Sequence, residues 1–396
     1  MGQQKKQVLI LGGGFGGIKT ALELESNASF EVRLLSDQDS FRYYPTLYRA
    51  AVGGSPLASA IPLSEIFKGK RVNLIKDTVK QLDRDSNTVF AASGKSYNYD
   101  VLIVALGVVT NFYGIKGLKH YAYGIKTLEE AKRLHDHLHQ QLMQDSKSDV
   151  HYVVIGGGPT GVELAGVLPS YIEHILKCHG LSVKNYHVDL VEAAHRPLPQ
   201  MSKTYSKAVA RRLRRLGVRL YLGQAVEAAS ADHLTLNGHD IKSHTIVWTA
   251  GVTSHPFLED NGFRLGHSGK AAVNNFLQAQ DNIYVIGDNA ETPYSGMAQT
   301  ALHDASYVAS NLKRLTRGKK PKSYVSKKPV YVIPAGPNWA AVAWGGIHIY
   351  GWLGWWLRRA ADFIAYHDVE PWWQATEHWL ESVRSQETCP ICSVKK

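Results

Sequence analysis

Two glycine-rich sequences with the same spacing are the strongest chemical signals in the chain. Both follow the pattern G-x-G-x-x-G, at residues 12–17 and at residues 156–161. In such a turn, backbone N–H groups at the start of the following helix face a pyrophosphate. Each copy lies between a predicted strand and a predicted helix, which makes the signal specific. The sequence therefore predicts sites for two dinucleotides.

Acidic side chains follow the strands that come after these two motifs. The strand at residues 30–35 is followed by Ser36 and Asp37, and we predict that Asp37 contacts a ribose. The later strand NYHVDLVE ends in Glu192, where a carboxylate accepts both ribose hydroxyls and repels a 2′-phosphate. Glu192 therefore favours NADH over NADPH, although Arg196 softens that preference. The alternative for Glu192 is an ordinary surface carboxylate at a strand end.

Three further segments have a strand running into small or acidic residues, which is typical of nucleotide-binding α/β domains. ALGVVTNFYGIKG, at residues 105–117, follows the predicted strand at residues 101–104. IVWTAGV, at residues 246–252, repeats this ending in the second half of the chain. NIYVIGDNA, at residues 282–290, places Asp288 between a strand and a helix.

These motifs, their order and their separations resemble the flavoproteins with two dinucleotide-binding domains. Within that superfamily the chain is most similar to type II NADH:quinone oxidoreductases, from about residue 8 to residue 311, most specifically in FRYYPTLYRAAVGG, ALGVVTNFYGI and WTAGV. The resemblance implies an α/β fold with two Rossmann-like domains, the NADH domain inserted in the FAD domain. The expected parts are 1–116 and 253–312 for FAD, and 117–252 for NADH.

The resemblance also implies which residues hold the two cofactors, FAD and NADH. The residues expected at FAD are Gly12, Gly14, Phe15, Gly16, Gly17, Asp37, Pro45, Ala105, Gly107, Gly287, Asp288, Ala298 and Gln299. The residues expected at NADH are Gly156, Gly158, Gly161, Glu163, Glu192, Ala250 and Gly251.

Catalytic and acceptor residues are implied in the same way. Glu163, in GVELA, is expected near the reacting rings, where it orients the nicotinamide or relays a proton; the alternative is a carboxylate that stabilises a helix N-terminus. The family's quinone segment Ala-Gln-x-Ala-x-Gln is AQTALH here, so Gln299 and His303 are the predicted quinone contacts. His303 replaces the family's Gln, which alters the quinone that binds or indicates another acceptor; it is otherwise a helix-surface residue.

The positions of the three cysteines exclude two related classes of flavoprotein. No cysteine precedes Cys178, so the flavin-side cysteine pair of disulfide reductases is absent, as are the two core cysteines of sulfide:quinone oxidoreductases. We predict that Cys178 is a buried structural thiol. The terminal CPIC, residues 389–392, is half of a zinc knuckle within a predicted flexible tail at 385–396, and no metal site is expected.

The C-terminal part combines positive charge with tryptophan. The net charge is +11, and no acidic residue lies between Asp304 and Asp362, where ten Lys and Arg occur. Eight of the nine Trp follow residue 338, and Trp favours the membrane–water interface. We therefore predict association with an anionic membrane surface through residues 313–384, and no nucleic acid. The alternatives are a Trp-rich core or dimer contact, or a basic patch without a partner.

Glycines argue against a transmembrane span at residues 339–357. WAAVAW-GG-IHIYG predicts a β-hairpin, and the spacing of Trp352, Trp355, Trp356, Arg359, Phe363 and Tyr366 predicts an amphipathic helix lying in the interface plane. A second helix is predicted near residues 370–383. The expected location is the cytoplasmic face of the cell membrane, as a peripheral protein.

The expected function is transfer of hydride from NADH to FAD and of two electrons to a membrane quinone, without proton pumping because no transmembrane path is visible in the sequence. The family implies a homodimer. The alternatives are a soluble NADH:acceptor reductase, or a redox-sensing flavoprotein resembling apoptosis-inducing factor.

Overall fold

A six-stranded sheet forms the first half of the fold. The computed structural model describes residues 5–144, 149–181 and 185–383, so the predicted tail at 385–396 lies outside the described residues. All strands but one edge strand are parallel. In spatial order they are Gln278–Gln280, Ile283–Val285, Val101–Val104, Lys6–Leu11, Phe30–Ser36 and Val72–Lys76. Two of these strands, Gln278–Gln280 and Ile283–Val285, follow the inserted domain in the sequence. The chain therefore completes this sheet only after it has passed through that domain.

A parallel five-stranded sheet forms the inserted domain. Its order is Ala122–Tyr123, Thr245–Trp248, Asp149–Ile155, Asn185–Glu192 and Val218–Leu222. The helices of this domain are Leu128–Gln144, Pro159–Cys178 and Lys203–Arg215, and its small antiparallel sheet is Val226–Ala229, His233–Leu236 and His239–Lys242. The two connections between the domains, Val108–Thr110 and Val252–Ser254, pair antiparallel. This topology confirms the predicted α/β class with one dinucleotide domain inserted in the other.

The helices of the first domain pack on its sheet through apolar faces. Phe15–Leu24 packs against Ala298–Leu315, burying Ile18, Ala21 and Ala305. The remaining elements of this part are short. They are the strands Ser40–Arg42, Ala60–Pro62, Val79–Asp83, Thr88–Ala91 and Ser96–Asn98, the helices Tyr44–Ala50, Leu63–Ile66 and Phe257–Asp260, and the 3₁₀ turns Pro56–Ala58 and Gly287–Asn289. The short helix Leu118–Tyr121 belongs to the inserted domain, where Leu118 is buried.

The C-terminal region consists of a small sheet and two helices. The strands Tyr331–Pro334, Ala340–Trp344 and Ile347–Gly351 pair antiparallel, and the predicted hairpin turns at Gly345 and Gly346. The two helices are Trp352–His367 and Trp372–Glu381, where helices were predicted. Within the described ranges, no helix is both long and apolar enough to span a bilayer.

The predicted interfacial stripe of helix Trp352–His367 is divided between an exposed face, which carries Trp352 and Trp356, and a buried face. Arg359 and Tyr366, two members of the predicted interfacial stripe, are buried against the protein, as is Arg358. These two arginines therefore do not belong to a lipid-facing basic patch; they pair with protein groups that the spacing alone did not reveal. The outer face instead exposes large apolar side chains. With those of the hairpin and the last helix, they are Trp344, Ile347, Trp352, Leu353, Trp356, Ile364, Trp372, Trp373 and Leu380.

Candidate functional site: two dinucleotide cradles and a buried carboxylate

The first glycine motif forms a tight turn between strand Lys6–Leu11 and helix Phe15–Leu24. Gly12 has a φ of 108°, and a Cβ at Gly17 would lie 2.0 Å from the Gly12 carbonyl oxygen. Both positions therefore require glycine. A Cβ at Gly14 would meet nothing within 4 Å, so the helix N-terminus faces open space. This arrangement fits a pyrophosphate approaching the backbone.

The second motif repeats this geometry in the inserted domain. Gly156 has a φ of 109°, and a Cβ at Gly161 would lie 1.8 Å from the Gly156 carbonyl oxygen. A Cβ at Gly158 would again meet open space. Each glycine motif, with the end of the strand before it and the start of the helix after it, is called a cradle below: the first at residues 12–17 and the second at residues 156–161. The two cradles are built alike.

Small residues lie directly behind each glycine motif. A Cβ at Gly12 would approach the Ala105 carbonyl oxygen to 2.3 Å, and one at Gly156 would approach the Ala250 Cα to 2.8 Å. A side chain at Gly251 would meet the Asn111 carbonyl oxygen at 2.1 Å. The predicted residues Ala105 and Ala250 therefore lie beside the motifs, whereas Gly251 packs against Asn111. The ring of Phe15, by contrast, is buried edge-on against Phe41, so it is part of the hydrophobic core.

The two strand ends differ in the residue next to the cradle. Glu192 Oε2 accepts a hydrogen bond from the Gly157 N–H at 2.6 Å, and Oε1 accepts one from the Ala194 N–H at 2.8 Å. In the first cradle the equivalent place holds Ser36, whose Oγ lies 2.8 Å from the Cβ that Gly13 would carry. Asp37 is exposed one residue further on, and its ribose contact stays a prediction.

Hydrogen bonds fix a second turn of the first domain, the one that contains Asp288. The Gly287 N–H donates to the buried Asp304 Oδ2 at 2.9 Å, and Asp288 Oδ1 accepts from the Gly296 N–H at 3.0 Å. Asn289 makes two hydrogen bonds with the backbone of Gly107, at 2.8 and 2.7 Å. The predicted residues Gly107, Gly287 and Asp288 are therefore brought together. Neither Asn289 nor Asp304 was predicted, since Asn289 is an ordinary polar residue after the strand and Asp304 lies within helix Ala298–Leu315.

Two partly buried lysines flank this turn. Burial lowers the pKa of Lys126 and that of Lys270, and the charge of Asp288 opposes the shift in both. Lys126 Nζ also lies 5.8 Å from the centre of the Tyr44 ring. Lys126 and Lys270 thus bring positive charge near Asp288, which suits a phosphate-bearing ligand.

Glu163 lies in the helix that follows the second cradle. It is 8% exposed, and its Oε1 accepts a hydrogen bond from Arg358 Nη1 at 3.0 Å. Burial raises the pKa of Glu163 to about 7, against the opposing charge of Arg358. A carboxyl with this pKa exchanges a proton near neutral pH, as a general acid–base must.

Arg358 joins three parts of the chain at one guanidinium. Its Nε donates to both oxygens of Asp362, at 3.0 and 3.1 Å, and its Nη2 donates to the Pro45 carbonyl oxygen at 2.8 Å. Tyr43 donates its hydroxyl to Asp362 at 3.0 Å, and burial beside that carboxylate raises the pKa of Tyr43. No pattern in the sequence indicated this network, because Arg358 was counted among the basic residues between Asp304 and Asp362.

The predicted quinone contacts, Gln299 and His303, hold the basic segment, residues 319–330. This segment contains neither helix nor strand. The Gln299 amide exchanges two hydrogen bonds with the Val330 backbone, at 2.9 and 3.0 Å. His303 Nε2 lies 2.9 Å from the Val325 carbonyl oxygen. Ala298, predicted at FAD, begins the same helix.

One of the three cysteines lies in the described part of the chain. Cys178 is buried at the end of helix Pro159–Cys178, with its Sγ 3.6 Å from His174 Nε2. The burial agrees with a structural thiol. The CPIC sequence lies outside the described residues.

Comparison with known proteins agrees with the two cradles. Residues 6–305 match the family model of the pyridine nucleotide-disulphide oxidoreductases. The Type II NADH:quinone oxidoreductase of Staphylococcus saprophyticus is 29% identical over 342 residues, covering 80% of this chain and 84% of its own. The protein of the same name from Staphylococcus aureus strain NCTC 8325 is 28% identical over 347 residues, covering 82% and 86%.

Solved structures show the same fold. NDH2 from Plasmodium falciparum, in complex with NADH, has a TM-score of 0.84 at 16% identity, covering 96% of this chain and 97% of its own. The sulfide:quinone oxidoreductase of Aquifex aeolicus has a TM-score of 0.78 at 20% identity, covering 94% and 92%. At these identities the likeness concerns the fold alone. The match over residues 6–305 is more specific: the chain belongs to the pyridine nucleotide-disulphide oxidoreductase family, and its curated relatives confirm the resemblance to type II NADH:quinone oxidoreductases.

Proposed function

We propose that the chain is an FAD-dependent oxidoreductase that takes hydride from NADH and passes two electrons to a membrane quinone. The observation that carries the proposal is the buried Glu163, which lies on the helix of the second cradle and is held by Arg358 beside Pro45 of the first domain. The name of the curated relatives, Type II NADH:quinone oxidoreductase, supports the same reaction.

Each cradle has a cofactor that suits it. The first cradle, with the Asp288 turn and its flanking lysines, would hold FAD, and the second, ending in Glu192, would hold NADH. The open space at Gly14 and Gly158 is where a pyrophosphate fits. When bound, FAD supplies the hydride and electron chemistry that amino-acid side chains lack.

The protein's own contribution to the reaction is a proton. Reduction of a quinone to a quinol takes up two electrons and two protons, whereas NADH delivers two electrons with only one. Glu163 can supply and recover the other, because its pKa is raised to about 7. Arg358 stabilises the ionised form between transfers and fixes the position of the carboxylate.

The acceptor side is proposed at the start of helix Ala298–Leu315. Gln299 and His303 are half-exposed or exposed there and hold the basic segment by its backbone. The carbonyl oxygens of a quinone headgroup would accept hydrogen bonds from the Gln299 and His303 side chains, in place of the backbone carbonyl oxygens of the basic segment.

Changing these donors should separate the two halves of the reaction. We expect Gln299→Ala and His303→Ala to slow reoxidation of the reduced flavin by quinone while NADH still reduces the flavin at nearly the wild-type rate. Stopped-flow absorbance follows the two steps in turn. Tyr307→Phe is the matched control, because it removes a hydrogen bond from Tyr307 to the basic segment, at the Lys322 carbonyl oxygen, without altering either donor. Equal slowing of both steps would move these residues away from the acceptor.

Selectivity for NADH is proposed to rest on Glu192. Arg196 is not positioned against it: the guanidinium donates to the carbonyl oxygens of Met201 and Pro199, at 2.9 and 2.6 Å. The Arg196 guanidinium, which could bind a 2′-phosphate, therefore already hydrogen-bonds within its own loop.

We expect Glu192→Gln to raise the KM for NADH and to relax discrimination against NADPH. The ribose contacts and the charge repulsion together contribute about 1–3 kcal/mol. Steady-state kinetics with both nucleotides measures the change, and Arg196→Ala should leave the preference unaltered. Efficient use of NADPH by the wild-type protein would contradict the role of Glu192.

Attachment to a membrane is proposed through the exposed apolar side chains of the C-terminal region. Trp352 is 65% exposed and Trp356 is 46% exposed, on a helix whose other face is buried. Exposed lysines of the basic segment add positive charge. The apolar rings would enter the headgroup boundary of an anionic bilayer, from which a quinone reaches the site. The cytoplasmic face and a homodimer remain part of this proposal.

The order of colour changes tests the proposed function as a whole. NADH should bleach the flavin absorbance band of the purified protein under anaerobic conditions, and a quinone supplied in lipid vesicles should restore it. Failure of NADH to bleach the band would contradict the electron donor. Bleaching without recovery on adding several quinones would contradict the acceptor.

A further inference from the structure

Three side chains able to ligate a metal meet at the far end of the second sheet. Asp149 and His151 are two residues apart on strand Asp149–Ile155, so they share one face of the sheet. His187 is the register partner of His151 on the neighbouring parallel strand. The cradle begins where strand Asp149–Ile155 ends, so these residues lie away from the dinucleotide site.

The distances within this group match those between the ligands of one small cation. Asp149 Oδ2 lies 3.2 Å from His151 Nε2, and Asp149 Oδ1 lies 3.0 Å from His187 Nε2. One ligand atom from each residue lies within 4.8 Å of the others. Ligand atoms around tetrahedral zinc, each about 2.0–2.1 Å from the ion, are about 3.3 Å apart.

We propose that Asp149, His151 and His187 form a binding site for a divalent transition-metal ion of the zinc type. Two imidazoles and one carboxylate supply three ligands, and water completes the coordination. His151 is buried, while Asp149 and His187 are partly exposed, so the ion has a route from solvent. The bound ion would clamp two adjacent strands of the sheet.

The neighbouring groups fit a histidine ligand. His151 Nδ1 lies 3.7 Å from Asp189 Oδ2, a buried carboxylate that can accept the Nδ1 proton once Nε2 binds a metal. Arg219 already pairs with Asp189 through two hydrogen bonds, at 2.6 and 2.8 Å. In the metal-bound form it would keep that pairing and give up its 3.1 Å contact with His151 Nδ1.

One neighbour opposes the metal. Lys242 Nζ lies 3.4 Å from Asp149 Oδ2, and its side chain is largely exposed. It can swing into solvent when the ion binds, but its charge competes for the carboxylate. Removal of this lysine should therefore strengthen metal binding, an effect that adsorption to scattered surface histidines would not show.

The test is zinc binding by the full-length protein, measured by competition with a fluorescent chelator after treatment with EDTA. All forms should carry Cys389→Ser and Cys392→Ser, so that the terminal thiols do not contribute. We expect one tightly bound zinc per chain and a rise in melting temperature on its addition. Asp149→Asn and His187→Ala should each weaken binding by more than about tenfold. Lys242→Ala should tighten it several-fold.

The control is His233→Ala. This histidine also contacts an aspartate, Asp232, at 2.7 Å, and lies on the adjacent small sheet. The His233→Ala substitution should leave the affinity for zinc unchanged. The proposal is overturned if the Asp149→Asn and His187→Ala forms keep the parent affinity while folded, as judged by circular dichroism, or if His233→Ala weakens binding equally. Cobalt substitution gives a second readout, since visible d–d bands should appear in the parent and be lost in both ligand variants.

Discussion

Replacing Arg358 with methionine should destabilise the folded protein by about 3–5 kcal/mol, because two buried carboxylates lose the charge that pairs with them. Glu163 and Asp362 are both buried, and Arg358 hydrogen-bonds to both. Methionine fills a similar volume, so the loss is mainly electrostatic. Quinone reduction should fall together with stability, since Glu163 loses its fixed position. Denaturant unfolding of the FAD-loaded protein measures the first effect, and turnover at a permissive temperature the second.

The neutral counterpart of this change provides the control. Arg358→Met combined with Glu163→Gln and Asp362→Asn removes all three charges, and it should recover much of the stability without recovering turnover. Arg358→Lys should retain more stability than Arg358→Met, although lysine cannot reproduce the forked contacts. A stable, fully active Arg358→Met protein would contradict the role given to this network.

The pH dependence of stability follows from Glu163. Its pKa rises from an ordinary 4.5 to about 7 on folding, so between these values the folded state keeps a proton that the unfolded state has lost. The resulting stabilisation is complete below pH 4.5 and is lost as the pH rises through about 7. Loss of Arg358 removes a charge that lowers this pKa, so in Arg358→Met the decline should extend to higher pH. Glu163→Gln should abolish this component.

Four exposed tryptophans should account for most of the membrane affinity. Changing Trp352, Trp356, Trp372 and Trp373 together to Ser should weaken binding to anionic vesicles by about a thousandfold or more, since each half-inserted ring contributes about 1–2 kcal/mol. Flotation of the full-length protein with vesicles measures the loss. High salt should weaken wild-type binding without abolishing it, because screening affects only the lysine contribution.

Matched substitutions elsewhere distinguish lipid contact from general surface change. Phe90→Ser and Tyr113→Ser remove exposed aromatic rings outside the C-terminal region, and they should leave flotation unchanged. A shortened chain ending at residue 311 would be a poor test, since it also lacks Arg358. Wild-type protein that stays unbound at low salt would contradict membrane attachment.

The sequence predicted the elements whose side chains carry a local pattern. The two cradles were predictable because glycine at Gly12 and Gly156 is required by the backbone itself, and the hairpin because two glycines separate two apolar runs. Glu163 and its expected chemical role came from the family resemblance, and the structure adds that its carboxylate is buried.

Contacts between distant parts of the chain were not predictable in this way. Arg358 and Arg359 looked like members of a basic surface, because charge in a sequence does not reveal which face of a helix is buried. Asp304 likewise gave no signal, although it links the Gly287 turn to Tyr324, through Gly287 N–H and the Tyr324 hydroxyl. Ser36 was passed over for Asp37 because a carboxylate was sought, whereas the structure places the serine beside the cradle.

The separation of Glu163 and Arg358 by 195 positions has a consequence for biosynthesis. As the chain leaves the ribosome, both glycine motifs emerge long before the guanidinium that pairs with the buried carboxylate. Until then, Glu163 can remain uncharged or hydrated, and the inserted domain can form without its final partner. The helix Trp352–His367, made after both sheets, thus completes the interior of the domains made before it. A nascent chain whose two sheets have emerged from the ribosome, but whose helix Trp352–His367 has not, would hold Glu163 without the guanidinium that pairs with it.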